Sequence, residues 1–542
     1  MRCRSSISAM LYRPSPFRDC TIAIFVSVSG RFGSLFFRPG VPPAFLCGLA
    51  CRERHFVDNS PVVRGIVRIS PRHVCIAVAE VGVSVSEAAA RALDARLLGE
   101  VLIPTDARYD HDRAIFNARI DKHPALIAYC CGVADVIASV QFAREHGLPV
   151  VVRAGGHSPA GYCVPDGGIL LDVSDMDGIW LDPERRAITV QAGATWRDVN
   201  HETAPFGLAV PGGECPTVGV AGFTLGGGWG YLARSFGLAA DTLIAVTLVT
   251  ADGRLITASD DAHPDLFWAL RGGGAGSFGV ATSFTFRLHP VPRQMLAGEI
   301  GWPIAQAREV IRVFRDYFTT TAPDALSFDL NLCSAPDGSR VVSIMGLFNG
   351  SVAAGTAAIA PFLACGRPHY VDLEPRSYEA LVNLYGDAIL DGAKTLWKSG
   401  FIEADFSDAA VDAMVEAFAA APPGASSCIL EVLGGAIGRV GPHETAFLHR
   451  QSLLSLTAIG SWNDDAQAGP AAAWARAFKR AMAPHLSGYQ YANYPDGDLA
   501  EWPRAYYGEN YARLAAVKRT YDPDNLFRFE QSVRSTESST GR

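Results

Sequence analysis

The sequence has too little positive charge for a protein whose main task is to bind nucleic acid. Lys and Arg (47) are outnumbered by Asp and Glu (55), which gives a net charge of -8. Nucleic-acid phosphates are normally held by a basic surface, so we expect no nucleic-acid partner. No uninterrupted apolar run reaches the length of a membrane span, so the sequence also predicts no span.

Cysteine patterns typical of a disulfide scaffold or a metal site are also missing. The twelve cysteines include no C-x-x-C pair and no His/Cys cluster at zinc spacing, so we predict no metal. Disulfide scaffolds are small, whereas 542 residues are enough for two or three domains. Hydrophobic residues make up 49% and charged residues 19%, which excludes a wholly disordered chain.

Acidic residues are scarce in the first 84 residues, where eleven arginines face only Asp19, Glu53, Asp58 and Glu80. This composition fits an Arg-rich targeting peptide or a poorly structured extension, such as an upstream stretch translated from a misplaced start. We favour the extension because no ordered series of charged region, apolar region and cleavage site is present. Localisation stays open between cytoplasm and secretion.

From Val85 onward, predicted helices alternate with short predicted strands, which indicates an α+β or α/β protein. The predicted helices cover 86–98, 133–146, 195–203, 265–270 and 304–317. The predicted strands cover 124–129, 150–153, 169–173, 187–191, 280–288, 295–302, 326–332 and 340–348.

Glycine, by contrast, is abundant, and it is concentrated in four stretches at 153–158, 211–219, 222–230 and 271–280. Such loops let backbone N–H groups approach a phosphate or a ring closely. Gly274, Gly276 and Gly279 match G-x-G-x-x-G, but here a predicted helix precedes the glycines and a predicted strand follows. This order is the reverse of a nicotinamide fingerprint, and no Walker lysine follows any loop. We predict neither a nicotinamide Rossmann site nor a P-loop.

Six motifs occur in one order along the chain: RAGGHS (153–158), PGGECPTVGV (211–220), GGGWG (226–230), DLFWALRGGG (265–274), YANY (491–494) and YDPDNLFR (521–528). Together they resemble the FAD-linked oxidases of the vanillyl-alcohol oxidase superfamily, in the berberine-bridge-enzyme-like branch. The resemblance covers about residues 109–533.

The resemblance implies an α+β fold with a PCMH-type FAD-binding domain in two parts and a substrate domain. The FAD domain would cover 85–290 and be completed by 488–542. The substrate domain, at 291–487, would contain an antiparallel sheet covered by helices.

The resemblance also implies that FAD is held through two covalent bonds. The matching histidine, His157, is joined to the flavin 8α carbon in the family, and the matching cysteine, Cys215, to ring carbon 6. A neutral imidazole and a thiolate are suitable nucleophiles for these bonds. The full set of expected cofactor-binding residues is Arg153, Gly155, Gly156, His157, Ser158, Gly213, Cys215, Thr217, Val218, Gly219, Gly222, Gly279, Val280 and Asn525.

The YANY motif suggests the catalytic residues, with Tyr494 as general base and Tyr491 as a positioning residue. A phenol has a pKa near 10, so a base role predicts a nearby cation that lowers it, and Lys398 is a candidate. Some relatives carry a catalytic glutamate before a Ser-Trp pair, but the matching position here is Ser455. Residues 451–460 contain no carboxylate, so we disfavour a carboxylate-driven ring closure.

The predicted reaction is hydride transfer from an alcohol carbon to FAD, with dioxygen as the electron acceptor and hydrogen peroxide as product. In the family, the residue three positions after the linked cysteine controls dioxygen access, and the small Val218 favours an oxidase. The alternatives are a flavin dehydrogenase with another acceptor and a non-catalytic flavin-binding protein. The substrate is a small molecule and stays open between an oligosaccharide, a glycosylated natural product and a terpenoid phenol, and oligomeric state stays open too.

Overall fold

The computed structural model describes residues 23–28, 31–36, 67–70, 73–76, 85–334, 339–385, 392–403, 406–422 and 426–535. The chain divides into two compact units, residues 1–84 and residues 85–542. In the first unit, which we expected to be poorly structured, the described residues form two antiparallel hairpins. These pair β1 (Ala23–Val28) with β2 (Arg31–Phe36), and β3 (Val67–Ser70) with β4 (His73–Ile76).

The second unit contains the remaining described elements. Its strands are β5 (Val101–Leu102), β6 (Leu126–Tyr129), β7 (Val150–Arg153), β8 (Ile169–Asp172), β9 (Ile179–Asp182), β10 (Ala187–Gln191), β11 (Leu208–Ala209), β12 (Leu243–Val249), β13 (Leu255–Ser259), β14 (Val280–Arg287), β15 (His289–Pro290), β16 (Met295–Pro303), β17 (Leu326–Ser334), β18 (Arg340–Phe348), β19 (Tyr370–Arg376), β20 (Lys394–Ile402), β21 (Ser427–Val432) and β22 (Leu454–Trp462).

Its α-helices are α1 (Glu87–Asp94), α2 (Tyr109–Asp112), α3 (Val133–His146), α4 (Trp196–Thr203), α5 (Val220–Leu225), α6 (Ala233–Phe236), α7 (Pro264–Leu270), α8 (Ala307–Thr320), α9 (Val352–Leu363), α10 (Tyr378–Tyr385), α11 (Asp408–Ala419), α12 (Ala468–Met482), α13 (Trp502–Tyr507) and α14 (Tyr511–Tyr521). Short 3-10 helices lie at Ala204–Phe206, Ala239–Thr242, Ile304–Gln306, Gly435–Arg439, Asp465–Gln467, Ala483–His485 and Gly508–Asn510.

Two sheets in the first part of this unit share one hydrophobic core. One has the strand order β5-β6-β8-β7, in which β6, β8 and β7 are parallel. The other is antiparallel, with the order β13-β12-β14-β10-β9. The strands of the parallel sheet are short apolar runs that are buried on both faces, as expected for parallel strands.

The C-terminal segment packs into this same core. Side chains between Trp502 and Val533 belong to it, and the Val150 N–H donates to the Leu526 carbonyl oxygen at 3.0 Å. The buried Lys518 ammonium donates to the carbonyls of Ser277 (2.6 Å) and Phe527 (2.7 Å). The segment around Lys518 and Phe527 is thereby fixed against the loop that precedes β14.

A second core lies under a seven-stranded antiparallel sheet with the order β19-β16-β18-β17-β21-β22-β20. Side chains alternate along its central strands, because successive residues of a strand point to opposite faces. In β17, Phe328, Leu330 and Leu332 are fully buried against the helical side. That side is covered by α8, α9, α11 and α12, which contribute further apolar residues to the core. The opposite face of the strand carries Asp329 and Asn331.

The predicted α+β class is confirmed, and most predicted elements lie within a few residues of the observed ones. The helix predicted at 86–98 instead ends at Asp94, whose carboxylate accepts a hydrogen bond from the Val101 N–H at 2.8 Å. The helix before and the strand after the G-x-G-x-x-G stretch are confirmed as α7 and β14. The domain boundaries near 290 and 487 stay predictions.

Among the described helices, none combines the length and the apolar character that a membrane span requires.

Candidate active site

Two glycine loops of the second unit cross in direct backbone contact. A Cβ added to Gly155 would lie 2.4 Å from the Gly219 nitrogen, and one added to Gly219 would lie 2.6 Å from the Gly155 nitrogen. Contacts this short cannot be accommodated by moving a side chain, because both partners are backbone. Glycine is therefore required at both positions, and the crossing brings the loop after β7 against the loop before α5.

This crossing brings His157 and Cys215 to a shared neighbour, the Thr217 hydroxyl. The Thr217 Oγ1 lies 3.1 Å from His157 Nε2 and 3.3 Å from Cys215 Sγ. The imidazole also stacks on Phe116, with ring centroids 5.0 Å apart. Burial lowers the pKa of His157 to about 4, so the ring is neutral near pH 7 and keeps a nucleophilic nitrogen. Two nucleophilic side chains, distant in sequence, thus converge.

Both nucleophiles line a cavity of about 380 Å³, a volume typical of small-molecule and cofactor sites. A Cβ added to Gly222, which also lines the cavity, would meet no atom within 4 Å. The space beside this glycine therefore belongs to the cavity. A glycine-lined wall with two nucleophiles fits a flat ring system with a phosphate-bearing tail, and hence FAD.

Most of the expected cofactor-binding residues line this cavity. They are Gly155, Gly156, His157, Ser158, Gly213, Cys215, Val218, Gly219, Gly222 and Gly279.

Four expected cofactor residues are not among the described lining residues. Thr217 is not a described lining residue, but its hydroxyl contacts both nucleophiles, His157 and Cys215. Arg153 forms a buried ion pair with Asp172, and Val280 is fully buried in the core. Asn525 occupies the turn after α14, with a left-handed φ of 53°. Arg153, Val280 and Asn525 thus lie outside the described cavity lining, in an ion pair, in the core and in a turn, respectively.

The YANY motif lies across the cavity. The Tyr491 hydroxyl accepts hydrogen bonds from the Gly228 N–H (2.9 Å) and from Asn493 Nδ2 (2.8 Å). The Tyr491 ring stacks on Trp229 at 3.8 Å. With its hydroxyl engaged in this way, Tyr491 holds the GGGWG segment against the motif, and its role as a positioning residue stays a prediction.

Tyr494 donates a hydrogen bond to a carboxylate. Its hydroxyl lies 2.7 Å from Glu431 Oε1, which also accepts from Trp229 Nε1 at 3.0 Å. Burial, and next the negative charge of Glu431, raise the pKa of Tyr494 well above its usual value. The expected lowering of this pKa by a cation is therefore wrong. Lys398 instead forms a buried ion pair with Asp496 and a second ion pair, at 2.7 Å, with the half-exposed Asp498.

Glu431 belongs to a group of three cavity-lining carboxyls that the sequence analysis missed, the others being Glu214 and Asp329. Strand β22 lacks a carboxylate, as noted above, but the neighbouring β21 provides Glu431 directly opposite Ser455. A carboxylate is therefore available in the cavity at this position, supplied by the neighbouring strand. The sequence does contain an indication of two of these carboxyls. Asp329 and Glu431 interrupt apolar strands, and acidic residues are depleted in strands.

Comparison with known proteins agrees with this geometry. The FAD binding domain family matches residues 124–259, and the family "Berberine and berberine like" matches residues 490–534. The (R)-6-hydroxynicotine oxidase of Paenarthrobacter nicotinovorans is 34% identical over 452 residues, which cover 80% of this chain and 96% of that protein.

The chain belongs to the berberine-bridge-enzyme-like family of FAD-linked oxidases. It is an oxidoreductase whose first matched region is an FAD-binding domain. The moss protein Physcomitrella patens BBE-like 1 has a similar structure, with a TM-score of 0.77, 28% identity, and coverage of 83% of this chain and 99% of that chain.

A glucooligosaccharide oxidase from Acremonium strictum is also similar, with a TM-score of 0.75 and 26% identity. The match covers 83% of this chain and 99% of that one. That protein is described as carrying a 6-S-cysteinyl, 8α-N1-histidyl FAD. Covalent attachment of flavin thus occurs within the family to which this chain belongs.

Proposed function

We propose that the protein is an FAD-dependent oxidase that removes hydride from an alcohol carbon of a sugar, glycoside or natural product. The observation that carries this proposal is the arrangement of one cavity, in which two nucleophiles face a tyrosine paired with a buried carboxylate. FAD bound there supplies a two-electron acceptor for the hydride.

His157 and Cys215 are the proposed covalent anchors of the flavin. The neutral imidazole and the thiol both contact Thr217, so they approach the same end of the cavity. Each bond would replace a C–H bond of the flavin, with two electrons per bond passing to dioxygen and two protons to solvent. The doubly linked flavin named for the Acremonium strictum oxidase supports this assignment.

Tyr494 is the proposed acceptor of the hydroxyl proton, and Glu431 is its partner. The raised pKa of Tyr494 means that free tyrosinate is scarce near neutral pH. A relay avoids this difficulty, because the phenol can pass its own proton to Glu431 Oε1, 2.7 Å away, as it receives the substrate proton. Burial raises the pKa of Glu431, which makes its carboxylate a stronger proton acceptor than a surface one.

Val218 is the proposed point of dioxygen entry. It lines the cavity three residues after Cys215, and its backbone is fixed by the hydrogen bond from the Trp196 N–H at 3.1 Å. Because the backbone is fixed, the size of the Val218 side chain determines the width of the gap beside the flavin. Protein interiors are packed almost without voids, so one methylene can decide whether a diatomic molecule passes.

Anaerobic mixing of the purified protein with a panel of sugars, glycosides and phenolic alcohols tests the proposal. Bleaching of the flavin absorbance by at least one alcohol, followed by peroxide formation when air is admitted, is the expected result. A control uses the same alcohols after their hydroxyls are methylated, because an ether has no proton for Tyr494 to accept. Equal bleaching by alcohols and ethers, or no bleaching at all, would contradict it.

A further inference from the structure

The Thr217 hydroxyl contacts both side chains that we propose as anchors of the flavin. Its Oγ1 lies 3.1 Å from His157 Nε2 and 3.3 Å from Cys215 Sγ. The other imidazole nitrogen, Nδ1, has no hydrogen-bond partner among the described residues. Thr217 therefore touches the sulfur of one nucleophile and one of the two ring nitrogens of the other.

The first turn of α4 holds the backbone on either side of Thr217. The Pro216 carbonyl oxygen accepts from the Arg197 N–H at 2.9 Å, and the Val218 carbonyl oxygen accepts from the Trp196 N–H at 3.1 Å. N–H groups in the first turn of a helix have no acceptor within their own helix, so they are available for such contacts. The helix thereby keeps the Thr217 hydroxyl at the two nucleophiles.

The contact with Thr217 also determines which nitrogen of His157 is the nucleophile. Burial lowers the pKa of His157 to about 4, so near pH 7 the ring is neutral and carries a single N–H. A hydroxyl has two acceptor lone pairs and one hydrogen, so Oγ1 can accept from Nε2–H while its own hydrogen points elsewhere. With the ring hydrogen on Nε2, the lone pair of Nδ1 is left to attack a carbon atom.

Bond formation by either nucleophile requires the loss of a proton. A bond from Nδ1 leaves the imidazole cationic until the Nε2 hydrogen departs, and burial disfavours that cation. A bond from the Cys215 sulfur requires removal of the thiol hydrogen, because the thiolate is the reactive form. Thr217 Oγ1 is in contact with both atoms that lose a proton. Because Thr217 is exposed, its own hydrogen can pass to water as it accepts another.

We propose that Thr217 is the proton outlet for flavin attachment, taking a proton from His157 Nε2 in one step and from Cys215 Sγ in the other. This inference rests on the covalent anchors of the proposed function and adds the residue that makes them reactive. In each step an N–H or S–H bond and a flavin C–H bond break, and an N–C or S–C bond forms. Two protons reach solvent, the first through Thr217, and two electrons pass to dioxygen, which takes up two protons to become hydrogen peroxide.

The experiment follows attachment of FAD to the full-length protein. Protein from riboflavin-starved cells is mixed with FAD in air, and covalent FAD is measured over time as mass added to the denatured chain. Digestion then assigns the flavin to the peptide of His157 or of Cys215. Thr217→Val keeps the shape of the side chain without its hydroxyl and should slow both attachments by about 100-fold, whereas Thr217→Ser should restore them.

A matched control and a buffer series separate proton transfer from a structural role. Thr247→Val removes a hydroxyl that contacts Thr257 at 3.1 Å outside the described cavity lining, and should attach FAD at the wild-type rate. In Thr217→Val, attachment should accelerate as the concentration of a small buffer base rises, because the base replaces the lost proton acceptor. Binding of FAD before attachment, measured by quenching of tryptophan fluorescence, should be unchanged.

Three results would overturn the inference. They are wild-type attachment rates in Thr217→Val, slow attachment that buffer base does not accelerate, and loss of FAD binding in Thr217→Val with binding retained in Thr217→Ser.

Flavin bleaching by alcohols, recorded on the same wild-type samples, separates this inference from the proposed oxidase function. Slow, buffer-dependent attachment in Thr217→Val without bleaching by any alcohol would contradict the oxidase function alone. Bleaching by alcohols together with wild-type attachment in Thr217→Val would contradict the proton outlet alone. A wild type that attaches no FAD would contradict both the anchors and the outlet.

Discussion

The two walls of the cavity are built in different ways. The wall on which we propose that the flavin lies (the flavin wall) consists of glycine loops, in which backbone contacts such as that between Gly155 and Gly219 set the shape. The opposite wall is one face of a seven-stranded sheet, where side chains such as Asp329 and Glu431 provide the chemistry. Where its loops cross, the first wall tolerates little change because a Cβ added to Gly155 or Gly219 meets backbone. The second can change its chemistry one side chain at a time, since its strands are held by a separate core.

This difference suggests how members of one family retain a cofactor yet accept different substrates. Substitutions on the sheet wall alter what is bound without disturbing the loops, whereas substitutions in the loops disturb the cofactor site itself. Variants on the two walls test this division.

Removal of the Tyr494 hydroxyl should have the largest effect on activity. Tyr494→Phe keeps the ring that packs between Trp229 and Trp397, so folding and flavin content should be unchanged. Flavin reduction should slow by ~100-fold or more, the usual scale for loss of a general base. Anaerobic stopped-flow mixing measures the rate. Tyr489→Phe, outside the described cavity lining, is the control and should reduce at the wild-type rate; similar rates in both variants would remove Tyr494 from the mechanism.

The two faces of strand β17 should differ sharply in stability. Leu330→Ala removes a fully buried side chain from the helical side and should lower the free energy of unfolding by about 3 kcal/mol. Asn331→Ala, one residue later on the cavity face, should lower it by less than about 1 kcal/mol. Chemical denaturation followed by tryptophan fluorescence compares them. Equal losses in the free energy of unfolding would mean that side chains on the cavity face also stabilise the fold.

The pH dependence of activity should depend on Glu431. Because burial raises the pKa of this carboxyl, the ionised form that accepts the proton is gained as pH rises through that raised value. The wild-type rate of flavin reduction should therefore increase with pH in this range. Glu431→Gln retains an acceptor for Tyr494 and Trp229 but cannot take the proton, so reduction should slow by about 10-fold and lose this increase. A wild-type pH profile in the variant would exclude the relay.

Enlargement of Val218 should have the smallest effect, confined to the reaction with dioxygen. Val218→Leu should slow reoxidation of the reduced flavin by about 10-fold while leaving reduction by substrate unchanged, because packed interiors leave few gaps for a diatomic molecule. The control is Met345→Leu on the sheet wall, which should leave the rate of reoxidation unchanged. Val220→Leu is not suitable as a control because Val220 is fully buried. Slow reoxidation of the wild type, with rapid transfer to a dye, would indicate a dehydrogenase.

The flavin wall could be predicted from the sequence because its chemistry is local. His157 lies two residues after Gly155, and Cys215 lies four residues before Gly219. Each nucleophile is therefore close in sequence to the glycine that positions it. The crossing of the two loops brings the pairs together without information from elsewhere. Short motifs were enough to predict two side chains that the structure places in one cavity and to indicate FAD, while their bonds to the flavin stay a prediction.

The sheet wall could not be predicted in the same way, because its residues are distant in the chain and meet only through strand pairing. Asp329 and Glu431 are brought together by the β17–β21 register, in which Leu330 pairs with Leu430. The role of Lys398 was misjudged for the same reason, since its partners Asp496 and Asp498 lie about a hundred residues further along. Acidic residues at alternating positions in apolar strands are the feature that indicates such a wall.

The central claim, that His157 and Cys215 both hold the flavin, is tested most directly by the mass of the denatured protein. The wild type, His157→Ala and Cys215→Ala should each carry the mass of one FAD after denaturation, and the double variant should carry none. A denatured wild type without this added mass, or complete loss of covalent flavin in either single variant, would contradict attachment through both residues.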